Sequence, residues 1–493
     1  MRHRLPLLIL LAAMLGLALS GPAAAARPAK KARVFTVCHH GCPYPAIQKG
    51  VDAAARYAHR HGGVAVTVAI RPGTYAEGVV LDGGESGRRY GGMTIEGTSR
   101  DRKKTILEGR GAADTRAGIA ASGVDGLVVR NLWARNYTTA GFLIEGDGGA
   151  PCKSYMLENL LASGNGVYGL AAHRCVGGKM LDSAAYRQGG AGFSVAETPC
   201  DAAGWSPYSG SPCQARPRWT LLEGDAAYEN ALGFSGTNSK YVRVIEDVFY
   251  DNGAGVVAAS LPSLGGGPNG WNMIERNFVF WNNYDYFLAG SAIGPALGAI
   301  GELNDRALNY PIGVGVAIFG GDGDIVRANH IFGNYKWGVA TFSLPGESPV
   351  VDPADEAKNV DNEVVENAFG RGGADPNGEY DVFDDATGGG NCWGANSAGA
   401  TFAVGNGKLA PGAIYPVCPV SKVGYGSVRS VNSEAGLQLP SSENRAWKTV
   451  LGYLATDPPQ NQQCSWVRRV ASHPRFQTFA AAEVPAHTGE LGC

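Results

Sequence analysis

Short apolar runs bounded by amides and carboxylates recur through the middle of this chain. The pairs Asn131/Asn136, Asp225/Asn230, Asp247/Asn252, Asn277/Asn282, Asn329/Asn334 and Asn362/Asn367 share one five-residue spacing. Between them lie segments such as Leu132-Trp133-Ala134, Val248-Phe249-Tyr250 and Phe278-Val279-Phe280. Several pairs are followed by a second run, as in Gly255-Val256-Val257-Ala258 and Gly338-Val339-Ala340-Thr341-Phe342. Asn159 with Asn165 and Asp182 with Arg187 are imperfect members of the series. The pattern predicts strands of a few residues separated by sharp bends, because Asn bonds nearby backbone and tolerates left-handed conformations.

The anchors at 131, 159, 182, 225, 247, 277, 329 and 362 are 28, 23, 43, 22, 30, 52 and 33 residues apart. A basic step of a little over twenty residues with a few enlarged steps is the mark of a solenoid, in which each coil covers its neighbour. The leucines follow no leucine-rich consensus, and the 72 glycines show no every-third order. A collagen-like chain is therefore excluded. The expectation is an all-β protein: a single-stranded right-handed parallel β-helix, with the six paired anchors at 131, 225, 247, 277, 329 and 362 stacked in one row.

Both ends carry different signals. Residues 1–26 read as a signal peptide, with Arg2 and Arg4 ahead of an apolar stretch over 5–19 and a cleavage site at Ala24-Ala25-Ala26. Residues 27–43 form a flexible N-terminal segment. Residues 44–57 place Ile47, Val51, Ala54 and Ala55 on one face of a helix, suited to cap the open end of the first coil. The β-helix with its capping helix is assigned to 44–400. A proline-marked linker-like segment follows over 401–430, and a small disulfide-bearing C-terminal cap or appended module over 431–493.

Formal charge is -2, from 42 basic and 44 acidic residues. That balance gives no general attraction to nucleic acid or to anionic membranes. Beyond the signal no stretch approaches a transmembrane span. The chain is expected to be secreted or extracellular, periplasmic if the source has an outer membrane, and a monomer. Ten cysteines suit an oxidising compartment. Local pairs are Cys38–Cys42, Cys200–Cys213, Cys392–Cys418 and Cys464–Cys493, and Cys152–Cys175 joins residues one coil apart; the connectivity is not fixed by spacing. Cys38-His39-His40-Gly41-Cys42 also offers zinc donors, but adjacent histidines close a tetrahedron poorly.

After the helix come Val68-Ala69-Ile70-Arg71-Pro72-Gly73-Thr74-Tyr75-Ala76-Glu77, Thr94-Ile95-Glu96-Gly97 and Thr105-Ile106-Leu107-Glu108-Gly109. This order resembles the opening of secreted right-handed parallel β-helix proteins of the pectate-lyase-like superfamily, over roughly residues 44–400. The resemblance implies the fold and a wide range of activities: lyases, hydrolases, esterases, epimerases and non-catalytic surface proteins. The opening is also similar to that of pectin methylesterases, whose downstream active-site sequence is not found. The Asp-Pro-His pattern of alginate epimerases is absent; Ser472-His473-Pro474 is the nearest fragment.

The enlarged steps supply candidate site walls, since loops inserted between coils are where solenoids carry function. One holds Trp205, Tyr208 and the Cys200–Cys213 pair; the other follows Trp281 and Tyr284. If both project on one side they bound a groove about 10–15 Å wide at ~4.8 Å per rung. Trp205, Tyr208, Trp281 and Tyr284 are then candidates to stack on sugar rings, with Arg276 as a further substrate contact. Glu229 and Asp251 precede ladder asparagines on adjacent coils. They are expected to share a cation, Ca2+ being the candidate, or to divide acid and base roles. Lys240 and Arg243 lie between them and offer charge neutralisation or a base. Gly320-Gly321-Asp322-Gly323-Asp324 is a single short copy of a calcium-like turn.

The functional expectation is a secreted carbohydrate-active protein, a polysaccharide lyase on an acidic glycan. The alternatives are a glycoside hydrolase on the same fold, and a non-catalytic cell-surface or matrix protein that binds glycans or acts as a spacer.

Overall fold

The computed structural model describes residues 32–147, 150–199, 218–261, 268–284, 312–342, 359–370, 376–378, 380–384, 390–397, 400–404, 407–408 and 418. Within them the chain winds as an all-β right-handed parallel β-helix. Three sheets run its length. Sheet 1 begins at Arg33–Val37, so the part of the 27–43 segment expected to be flexible is instead a strand paired with Val66–Ile70, and it ends at Cys392–Gly394. Sheet 2 begins at Gly73–Tyr75 and ends at Ala368–Phe369. Sheet 3 begins at Val79–Asp82 and reaches Phe402–Val404, where Gly407–Lys408 adds an antiparallel edge. Every other described strand pairing in these sheets is parallel, between one coil and the next.

Inward positions form one continuous apolar core, with Val244, Phe249 and Val256 facing it from a single coil. The helix Ile47–Arg60 closes the N-terminal end and buries Ile47, Val51, Ala54 and Ala55, the face predicted from spacing. Ala46 offers no capping side chain, so the cap comes from outside. Glu77 accepts from the N–H groups of Ile47 (2.7 Å) and Gln48 (3.1 Å), satisfying two otherwise orphan donors. At the other end Cys392–Cys418 closes a small cap. Cys38–Cys42 and Cys152–Cys175 are also disulfides. Cys200–Cys213, the signal segment and the 431–493 module with Cys464–Cys493 lie outside the described residues.

The bends explain the asparagines. Each corner has a residue at positive φ followed by a ladder residue whose side chain stacks on the next coil. At the corner between sheets 1 and 2 the ladder runs Ser183, Asp225, Asp247, Asn277, Asn329, Asn367 and Asn396. Between sheets 2 and 3 it runs Asn165, Gln188, Asn230, Asn252, Asn282, Asn334 and Asn377. Between sheets 3 and 1 it runs Asn272, Asp324, Asn362 and Asn391. In a typical link Asn282 Oδ1 accepts from both the N–H and the Nδ2 of Asn252 (3.2 and 3.0 Å), while its own Nδ2 donates back to Phe249 O at 3.2 Å. Each such bond contributes about 0.5–1.5 kcal/mol. Glycine repeats in sheet 3 because the next coil's carbonyl and the ladder amide both crowd the position; a Cβ on Gly255 would meet Gly315 O at 2.5 Å and one on Gly315 would meet Gly338 O at 2.5 Å. A Cβ on Gly255 would sit 2.8 Å from Asn282 Nδ2, and one on Gly315 2.8 Å from Asn334 Nδ2.

The single row expected of six anchors is thereby corrected. Asp225, Asp247, Asn277 and Asn329 do stack in one row. Asn362 belongs to the corner between sheets 3 and 1, and its coil places Asn367 in their row. Asn131 (φ 60) holds the left-handed position one residue earlier, and Leu132 takes the ladder slot of its coil. The physical reason is that in these coils the strands of the two sheets match in length, as in Met273–Glu275 and Phe278–Phe280. A five-residue step therefore separates ladder residues across either sheet, and also the left-handed residues beside them.

Candidate functional site

Period-two alternation on sheet 1 sends Val244, Ile274, Val326 and Val364 inward and their neighbours outward. On four consecutive coils this brings Arg243, Glu275, Arg327 and Glu363 onto one outer face. Glu275 lies opposite Arg327 in register and diagonal to Arg243. Arg327 Nη2 and Nε donate to Glu275 Oε2 at 2.6 and 2.9 Å. Arg243 Nε and Nη2 both reach Glu275 Oε1. The carboxylate is fully buried between arginine side chains that remain 35% and 22% exposed. Burial pushes Glu275 upward, but hydrogen bonds from Arg327 and then Arg243 outweigh it and hold the group below its ordinary range.

Two guanidinium groups converge on one carboxylate here, and both arginine side chains stay partly exposed although the outward strand neighbours Ile245, Met273, Ile325 and Val365 are buried. On the next coil is Glu363, 3% exposed and diagonal to Arg327. Burial raises it to about 7, with Arg327 opposing. The face therefore combines a cation geometry suited to carboxylates with a carboxyl group that exchanges its proton near neutrality.

Of the residues singled out by sequence, Arg243 is on this face. Lys240 lies three residues upstream at the corner between sheets 3 and 1, 5% exposed, and its backbone bridges to Gly270. Glu229 and Asp251 are together at the corner between sheets 2 and 3. They take successive left-handed positions (φ 54 and 52), and Glu229 N–H donates to Asp251 O at 2.8 Å. Both are 2% exposed, and Arg187 Nε donates to Glu229 Oε2 at 2.8 Å. Burial, then the charge of Glu229, pushes Asp251 well above its ordinary range. Trp281 (φ 50) is next in that column, with ring centroids 5.0 and 5.6 Å from Phe280 and Phe332. Tyr284 is 2% exposed and its N–H donates to Asn252 O. Arg276 is at the corner between sheets 1 and 2, paired with exposed Glu246 at 3.2 Å. The structure thus unites Glu229 with Asp251 and places Arg243, Lys240 and Arg276 at other azimuths. Trp205, Tyr208 and both inserted loops over 200–217 and 285–311 lie outside the described residues.

Glu275, Arg327 and Glu363 did not emerge from the sequence reading. Their signal is positional. Glu275 and Arg327 stand two residues before ladder residues Asn277 and Asn329, and Glu363 one residue after Asn362, all on the outward phase of short strands.

Calcium takes six to eight oxygen ligands. Glu229 and Asp251 offer two carboxylates, one already bonded to Arg187, and the described donor set does not fit the ion. Among the described residues no group of three or more His, Cys, Asp or Glu side chains is placed to hold a metal. The Gly320–Asp324 turn has another use: Asp324 Oδ1 accepts from Asn272 N–H at 2.8 Å within a ladder. Among the same residues no helix is long and apolar enough to cross a membrane.

No family model matches the chain, and no curated protein matches it. Solved structures do. The A-module of the Azotobacter vinelandii mannuronan C-5 epimerase AlgE4 is 13% identical with a TM-score of 0.45, covering 72% of this chain and 92% of that one. The corresponding AlgE6 A-module is 14% identical with a TM-score of 0.44, covering 73% and 92%. Pectate lyase Pel9A is 15% identical with a TM-score of 0.35, covering 77% and 78%. At these identities and scores the likeness assigns no activity.

Proposed function

We propose that this chain is an exported carbohydrate-active protein that cleaves an acidic polysaccharide by β-elimination on the outer face of sheet 1. The observation that carries the reading is the clustering there of two partly exposed arginines with a second carboxyl group: Arg243 and Arg327 share Glu275, and Glu363 lies on the adjacent coil. A uronate carboxylate is the anion that a planar guanidinium receives with two parallel hydrogen bonds. Neutralising that carboxylate acidifies the proton on the adjacent ring carbon, C5. Ionised Glu363 takes the proton, the C4–O bond breaks, a C4=C5 double bond forms, and the departing oxygen receives a proton from solvent. The described disulfides support an oxidising, extracytoplasmic setting.

The test is incubation with a panel of uronate-containing polysaccharides, with and without added calcium, followed by ultraviolet absorbance of the unsaturated product. No such product on any of them sinks the lyase reading. Reducing ends without that absorbance move the assignment to hydrolysis, for which adjacent Glu229 and Asp251 are the carboxyl pair. A non-catalytic glycan-binding or spacer protein is the second reading. It is favoured by the fact that both arginines already bond Glu275, and it is supported if a polysaccharide is retained unchanged.

A further inference from the structure

The ladder between sheets 1 and 2 changes chemistry in its middle. Asn277, Asn329 and Asn367 each use Nδ2 twice: forward to the next Oδ1, and back to a strand carbonyl of the preceding coil. Asn277 reaches Asn329 Oδ1 (3.0 Å) and Val244 O (2.9 Å), and Asn329 reaches Asn367 Oδ1 (3.0 Å) and Ile274 O (2.9 Å). Every group that Nδ2 meets is an acceptor, so the slot requires a donor.

Two coils put aspartate there. Asp225 Oδ1 accepts from Ser183 N–H and Asp247 Oδ1 from Asp225 N–H, both at 2.7 Å, and Asp247 N–H donates to Asn277 Oδ1 at 2.9 Å. The first oxygen of each carboxyl thus does what an Asn Oδ1 does. The second oxygens are buried and have no hydrogen-bond partner. By the register that sets Val244 O against Asn277 Nδ2, the equivalent carbonyls are Leu222 O for Asp247 and Met180 O for Asp225. A carboxylate would set a charged acceptor toward these oxygens at fully buried positions. A carboxylic acid instead places an O–H where Asn has its N–H. Asp324, in the ladder between sheets 3 and 1, shows the contrast: its second oxygen accepts from Asn269 Nδ2 at 2.6 Å.

We propose that Asp225 and Asp247 are carried as neutral acids and form a proton-dependent clasp between neighbouring coils, closed when protonated and loosened when they ionise. The charged groups around them act in both directions. Burial dominates for each. Around Asp225, Asp182 opposes ionisation and Arg102 favours it; around Asp247, both Asp225 and Glu223 oppose it. The sign follows from linkage. A group held protonated in the folded chain contributes stability that is complete below the unfolded carboxyl pKa of about 3.9 and is lost as pH rises through the folded value.

The test compares chemical unfolding of the full chain and its Asp225→Asn/Asp247→Asn variant across acidic to alkaline pH. Asn supplies the missing donor without a proton. The ratio of wild-type to variant unfolding constants should therefore rise with pH, by up to about tenfold per pH unit for each carboxyl. Infrared spectra at neutral pH should show protonated carboxyl absorption that weakens in the variant. Asn277→Asp, which extends the acid run, should steepen the pH dependence. A ratio that stays flat, or falls as pH rises, overturns the proposal, as does an unchanged carboxyl absorption in the double variant.

Discussion

Sheets 1 and 2 share a corner and the same coil repeat, yet their outer faces are opposites. On sheet 2, Tyr186, Tyr228, Tyr250, Phe280 and Phe332 stack along five coils, with centroids 4.9–5.5 Å apart and planes within 18° of parallel. Tyr228, Tyr250, Phe280 and Phe332 are no more than 2% exposed. On sheet 1 many outward positions are charged, and the charges mix sign: Glu96, Arg130 and Glu158 near the start, then Arg243, Glu275 and Arg327, with buried Ile245, Met273 and Ile325 between the last three. A parallel stack repeats each outward position at about 4.8 Å. Aromatic rings tolerate that repetition, because offset stacking at such distances is favourable. Like charges do not, so they mix in sign. The difference teaches where to look for function. The aromatic column is a self-satisfied brace, whereas the two arginines on one carboxylate stay partly exposed, the feature on which the proposed function rests.

The comparison breaks most decisively at Glu363. Glu363→Gln should lower production of unsaturated ends by about 10²–10⁴-fold, the usual contribution of a positioned base, with little change in thermal midpoint. Equal rates in both proteins would return sheet 1 to a structural role. On the other face, Phe280→Ala should cost about 3–5 kcal/mol in denaturant unfolding while leaving the rate per folded molecule unaltered. A loss of rate without a loss of stability would mean that the brace is itself a ligand platform.

Asn252→Ala tests the ladder that supports both faces. It removes the acceptor for Asn230 N–H and Nδ2 and the donor to Ala227 O, at a cost of about 1–3 kcal/mol. Thermal and denaturant unfolding read this directly, and a neutral result would reduce the ladders to by-products of the turn geometry. The smallest effect is the pH response of Glu363. Its folded value of about 7 lies above the ordinary range, so ionisation as pH rises through about 7 should raise the lyase rate and slightly lower stability. A rate that falls over that interval would exclude Glu363 as the base.

The five-residue spacing, the helix face at Ile47, Val51, Ala54 and Ala55, and the cysteines one coil apart were legible in the chain alone. Each is local: a bend needs a residue that accepts positive φ, a helix needs a stripe, and parallel stacking brings equivalent positions together. Even the column of Glu229, Asp251 and Trp281 could be aligned by counting from the ladder asparagines. What the chain alone left open was the azimuth of each position. Spacings of five arise across both short sheets, so counting did not separate Asn362 from Asn329 or the slot of Asn131 from that of Asp225. Nor did proximity in sequence place Lys240 and Arg243 with Glu229, because a few residues along a coil turn a corner and face another way. The pairing of Glu275 with Arg327 spans 52 residues across an enlarged step. Only the closed register of the coils makes those two residues neighbours, and only burial in the assembled stack gives Glu363, Asp225 and Asp247 a reason to hold a proton.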